Sequence, residues 1–161
     1  MKPHDLRAAD SSGVVYGKRI PRFEVRRLSL SPAPIGVANM SSAAATLLRP
    51  HFDGLAQEAF IVAHLDTRHR LTGWEEVARG SMNAVNVSPA EIFRGALIRG
   101  AAAIIIAHNH PSGDPTASAD DNTLTDRIEA AGRLLGVPVL DHLIFGDSEF
   151  YAYADKARHG Y

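Results

Sequence analysis

The run "AAAIIIA", Ala101 to Ala107, constrains this chain more than any other stretch. It is uniformly apolar, carries three consecutive isoleucines, and is closed by Gly100 on one side and "HNHPSG" on the other. A short run with no polar face predicts a central strand covered on both sides. A strand of that kind needs helical layers, and the flanking sequence supplies them. In "SPAEIFRGALIRG", Ser88 is placed to cap a helix, Pro89 to open it, and Glu91 to complete a capping box. Its pairs Ile92/Ala96 and Phe93/Leu97 fall on one face. A second helix follows Ser118, marked by Leu124, Ile128, Ala131 and Leu135 and stopped by Gly136. "SSAAATLLRP" predicts a shorter helix capped by Ser41 or Ser42 and ended by Pro50. Strands are expected in "EAFIVAHLD", "HRLTGWEEVARGS", "VPVLDHLIFG" and "FYAYA", the first two joined by a turn at Asp66 to His69. Strands alternating with helices make this an α/β chain with a mixed sheet.

The first 34 residues differ from the rest. Lys18, Arg19, Arg22, Arg26 and Arg27 face only Glu24, and a Ser/Pro-rich stretch follows. They read as a loosely packed basic arm with one short strand near Phe23 to Leu28, ahead of a domain at 35–161. The arm is either a solvated tail or a grip for nucleic acid. Formal net charge over the whole chain is −1, so bulk charge does not argue for a polyanion partner. There is no cysteine, so disulfides are excluded and any metal site must use His, Asp or Glu. Without a long apolar segment or an apolar leader, a cytoplasmic chain with no membrane partner is expected.

The chemistry gathers where the apolar strand runs out. His108 and His110 are two apart, so on an extended chain both imidazoles point to one side while Asn109 points to the other. The C-terminal end of a central strand is a usual place for a ligand. The pair reads as metal ligands or as hydrogen-bonded surface histidines. Ser118 and Asp121, three apart, read as a helix cap. If Asp121 also turns toward the histidines, His, His and Asp make three of four tetrahedral zinc positions, with the fourth open as hydrolysis requires. Such a site also needs a base outside the ligand set. Glu58, just before "AFIVAHL", is the candidate. Among its rivals, Glu91 is already used as a cap, and Glu75 and Glu76 are expected on an exposed strand.

The order Glu58, His108-x-His110, Ser118, Asp121 resembles the JAMM motif of JAB/MPN-domain metalloproteases. The phrases "EAFIVAHLD", "SPAEIF", "AHNHPSGDPT" and "GVPVLDHLIFG" are similar to its RadC-like branch, over roughly residues 40 to 155. The resemblance implies a cytidine-deaminase-like fold with Zn2+ at the sheet edge. It implies His108, His110 and Asp121 as zinc ligands, Glu58 as acid/base, and Ser118 as donor to the oxyanion. The implied reaction is hydrolysis of a peptide or isopeptide amide, often at a ubiquitin-like tail. Ala90 stands where that branch often has arginine, and the helix-hairpin-helix-like region that precedes the domain in full-length members has no counterpart in the arm. A DNA-repair association, with nucleic-acid binding or metal-dependent nuclease action through the arm, is the alternative. The string "HNH" itself is discounted, because nucleases of that name scatter those residues over a ββα unit. Asp141 and His142, on a neighbouring strand, are either a hydrogen-bonded strand pair or support for a ligand from behind. A homodimer through exposed strand edges is a further expectation.

Overall fold

In a computed structural model that describes residues 36–80 and 87–161, the apolar run becomes β3 (Ala103–Asn109), buried along its whole length. The arm at 1–34, its short strand and its boundary with the domain lie outside the described residues. Around β3 the order of elements is α1 (Ser41–Leu48), β1 (Ala59–Leu65), β2 (Leu71–Arg79), α2 (Pro89–Arg99), α3 (Ala119–Leu135), β4 (Val139–Phe145), β5 (Glu149–Ala152) and β6 (Ala157–Gly160). Six strands form one sheet in the order β2-β1-β3-β4-β5-β6. Only β3 and β4 run parallel; every other pair is antiparallel. The expected mixed sheet flanked by helices is therefore present, and β3 is interior to it.

Alternation along the strands divides the core in two. Ile61, Leu65, Ile105 and Phe145 face one way, into a cluster with Leu48 of α1 and with Phe52. Phe60, Val62, Ile104 and Ile106 face the other way, against Ile92 and Phe93 of α2 and Ile128 of α3. Both long helices begin and end where their local chemistry dictates. Ser88 and Ser118 each close a complete capping box, with Glu91 and Asp121 respectively. Gly100 and Gly136 end them at φ 64° and φ 70°, a left-handed conformation that side chains other than glycine resist. No helix among the described residues is long and apolar enough to cross a membrane.

Several expectations need correction. Met40, not Ser41 or Ser42, occupies the N-cap of α1, and no side chain caps it. Ser41 is instead buried in the first turn, beside Asp141, whose carboxyl pKa it works to lower against the effect of burial. The α-helix does end ahead of Pro50, at Leu48, and a short 3-10 turn over Arg49–His51 follows, in which Pro50 takes a first-turn position that needs no N–H. Leu97 and Leu135, in the last turns of their helices, are 51% and 43% exposed despite the periodicity that placed them inward. Glu76 is exposed as expected, but Glu75 is not. It turns toward α2, where Gly95 leaves room: a Cβ there would stand 1.9 Å from Glu75 Oε1. The same oxygen is 3.3 Å from Nε2 of the buried His64. Strand β6 forms without a signal of its own, since "ARHG" has neither alternation nor β-branched residues.

Candidate metal centre

The period of two that puts Ile104 and Ile106 against α2 and α3 puts His108 on the same face. Its ring stacks on Phe60, its cross-strand neighbour, at 5.9 Å and 8°. His110 lies one residue beyond β3, and its N–H continues the ladder to the carbonyl of Phe145. The two Nε2 atoms are 3.1 Å apart. Asp121, the third residue of α3, brings Oδ1 to 3.1 Å from His108 Nε2 and Oδ2 to 3.6 Å from His110 Nε2. Glu58, immediately ahead of β1, has Oε1 at 4.0 Å from His108 Nε2. Glu58, His108 and His110 each present one ligand atom, all within 4.8 Å of one another, so a cluster able to coordinate a metal ion is present. These side chains line a cavity of about 110 Å³, with Ser118 and Leu124 at its wall.

Capping and site formation are not rivals at Asp121. Its Oδ2 accepts the Ser118 N–H at 2.8 Å and the Ser118 hydroxyl at 2.6 Å. Its own N–H returns to Ser118 Oγ at 3.1 Å. Oδ1 is thereby left on the histidine side. Burial works to raise the Asp121 carboxyl, but His108, His110 and Ser118 outweigh it and hold it well below the usual carboxylate range. The same contact with Asp121, against the opposing effect of burial, raises the pKa of His110.

The loop after β3 sets the tautomer of His110. Its Nδ1 lies 2.8 Å from the carbonyl oxygen of Asp114, which can only accept, so Nδ1 carries the proton and the Nε2 lone pair faces the cavity. Asp114 is itself fixed: Oδ1 accepts from the N–H and hydroxyl of Thr116 and pairs with Arg158 of β6. The strand that the sequence did not reveal thus braces the loop that aims a histidine. Asn109, pointing away from the site as expected, holds the other side. Its Oδ1 accepts the buried Ala59 N–H at 2.8 Å and its Nδ2 donates to the Gln57 carbonyl at 3.2 Å. Those two groups bracket Glu58, so Asn109 ties the β1 carboxylate to the β3 histidines.

Of the adjacent pair on β4, Asp141 belongs to the strand's own architecture. Its Oδ1 accepts the N–H groups of His142 and Ala154, and burial raises its carboxyl pKa. His142 is fully buried, with Nε2 2.8 Å from His108 Nδ1. Burial pushes its imidazole well below its ordinary pKa. Thr125, which had no sequence signal beyond lying one turn after Asp121, meets the other nitrogen of His142.

Donor chemistry favours a cation here. Two imidazole nitrogens at 3.1 Å call for a proton or a metal ion between them, and the carboxylates beside them complete a mixed N/O donor set able to take a metal ion. A mixed sheet flanked by helices, with this cluster at the tip of an interior strand, defines a JAB/MPN-like domain. A family model described as "RadC-like JAB domain" matches residues 38–159. The chain belongs to that family. It is 41% identical over 135 residues to a UPF0758 protein of Clostridium perfringens, covering 84% of this chain and 57% of the relative. It is 44% identical over 111 residues to one of Alkaliphilus metalliredigens, covering 69% and 48%. A Methanosarcina mazei member is 40% identical over 111 residues, with the same coverage, 69% and 48%. The chain spans about half the length of the curated relatives it matches.

Proposed function

We propose that this domain is a zinc-dependent amide hydrolase of the JAMM type, with His108, His110 and Asp121 as ligands. The observation that supports the reading is the spacing of His108 Nε2 from its two neighbours, His110 Nε2 and Asp121 Oδ1. Zinc bonds of 2.0–2.1 Å imply a tetrahedral edge of about 3.3 Å between ligand atoms. His108 Nε2 to His110 Nε2, and His108 Nε2 to Asp121 Oδ1, are each 3.1 Å. Glu58 is further off at 4.0 Å and more exposed than Asp121, which suits a carboxylate beside the ligand set better than one within it.

Held there by His108, His110 and Asp121, zinc would lower the pKa of a water from roughly 16 to 7 and would polarise a substrate carbonyl. Glu58 Oε1 takes a proton from the attacking water and delivers it to the leaving amine nitrogen. Ser118 Oγ donates to the carbonyl oxygen as it gains charge. In this structure that proton rests on Asp121 Oδ2, and the Ser118 N–H at 2.8 Å keeps Oδ2 paired when the hydroxyl turns away. The substrate is a peptide or isopeptide, with a ubiquitin-like tail as the implied class, and the expected setting is the cytosol. The test is metal analysis combined with cleavage of a peptide library. Wild type should hold close to one zinc per chain and cleave; His108→Ala should lose both. A zinc-loaded wild type that cleaves no member of the library, free or isopeptide-linked, would refute the hydrolase.

A further inference from the structure

His142 touches neither the cavity nor solvent, yet both its ring nitrogens are engaged. Nδ1 is 2.7 Å from Thr125 Oγ1, and Nε2 is 2.8 Å from His108 Nδ1. Thr125 Oγ1 is also 2.6 Å from the carbonyl oxygen of Asp121. A carbonyl only accepts, so the single hydroxyl proton of Thr125 is committed to it. Oγ1 must then accept from His142, which places a proton on His142 Nδ1. A second proton on Nε2 would make a fully buried imidazolium facing His108 Nδ1, a costly state. His142 Nε2 is therefore bare and accepts from His108 Nδ1–H.

We propose that Thr125 and His142 form a proton-ordered relay that locks His108 in its Nδ1–H tautomer and so presents the Nε2 lone pair to the metal site. His142 and Thr125 are positioning residues, acting only through His108. The relay begins at the carbonyl of Asp121 and ends at His108, so it ties the helix that carries one proposed ligand to the strand that carries another. Two rings hold His142 in place: Tyr153 stacks on it at 4.9 Å and 9°, and Phe60 lies tilted at 5.8 Å. Tyr153's hydroxyl donates to Asn122 Oδ1, which leaves it no proton for the relay. Ligand histidines commonly give their outer N–H to a carboxylate or a backbone carbonyl. His110 follows that habit with Asp114, whereas His108 gives its proton to another imidazole whose own tautomer is set by a threonine.

The consequence for metal affinity rests on the zinc reading above, but the Nδ1 protons of His142 and His108 belong to the metal-free chain as well. Histidine-labelled protein should be measured by long-range 1H–15N correlation at mildly alkaline pH, with and without zinc. His142 should show Nδ1–H and bare Nε2 in each state; His108 should keep Nδ1–H in each state, with Nε2 given to the metal when zinc is bound and able to carry a proton toward Asp121 Oδ1 when it is not. Thr125→Val keeps the shape and removes the acceptor; zinc affinity, read by competition with a chromogenic chelator, should fall about 10–100-fold. Thr125→Ser should restore it. A wild-type His142 carrying its proton on Nε2, or a wild-type His108 without one on Nδ1, overturns the proposal, as does a Thr125→Val protein with wild-type zinc affinity. If Thr125→Val does not fold, the wild-type tautomers alone decide. If the tautomers are as expected but wild type binds no zinc, the relay stands and the metal reading falls.

Discussion

Asn109→Ala probes how the site's two strands are held in register. Asn109 Oδ1 is the acceptor for the Ala59 N–H, and Ala59 is fully buried, so no water replaces it. An orphaned buried N–H costs about 1–3 kcal/mol. The second bond, from Nδ2 to the carbonyl of the exposed Gln57, is replaceable by solvent and adds little. The sum is about 2 kcal/mol. For a chain of this size that lowers Tm by roughly 4–8 °C. The variant should still bind zinc, because Asn109 touches none of the three proposed ligand atoms. Turnover should fall more than zinc affinity, since Glu58 sits between the two groups that Asn109 ties down. The assay is paired: thermal unfolding of zinc-loaded protein, then kcat on the substrate that the library identifies. A Tm unchanged within about 1 °C, below what even a single 1 kcal/mol loss would produce, would refute the reasoning. So would a loss of zinc with turnover per bound zinc intact.

Glu58→Gln should retain zinc while kcat drops about 10²–10⁴-fold, and a loss of metal instead would make Glu58 a ligand. Ser118→Ala should cost about 10²–10³ in kcat as the oxyanion donor. It should also lose about 1 kcal/mol of stability as a helix cap, read by urea titration. In metal-free protein the raised pKa of His110 makes its contribution to stability complete below 6.5 and lost as pH rises through the folded value. The stability gap between wild type and His110→Ala should therefore be widest in mild acid and close toward alkaline pH; a gap that widens with pH reverses the assignment. Zinc at a hundred times its Kd should stabilise wild type by about 2.7 kcal/mol. A chelator should remove that gain, and His108→Ala should never show it.

Most of the fold was legible because its signals are local. The apolar run at 101–107, the serine caps at 88 and 118 and the glycine stops at 100 and 136 each act within a few residues, and each element formed where those signals lie. The site was legible for a related reason: two-residue alternation fixes the shared side of His108 and His110, and a helix's first turn fixes Asp121. What stayed hidden depends on distant partners. Ser41 lies buried in the first turn of α1, not at its cap, beside Asp141 of the distant β4. Glu75 turned inward because Gly95 on α2 left space. Strand β6 exists because β5 offers it an edge to pair with, not because its own residues favour extension.

The sequence by itself determined which side chains could meet, since backbone periodicity and capping need no tertiary partner. Only the tertiary structure decided what state those side chains adopt on meeting. Which nitrogen of His108 carries the proton and what pins Glu58 follow from groups 34 to 52 residues away along the chain, from His108–His142 to Asn109–Gln57. Hydrogen-bond partners are assigned by distance and direction in space, and a linear chain records neither.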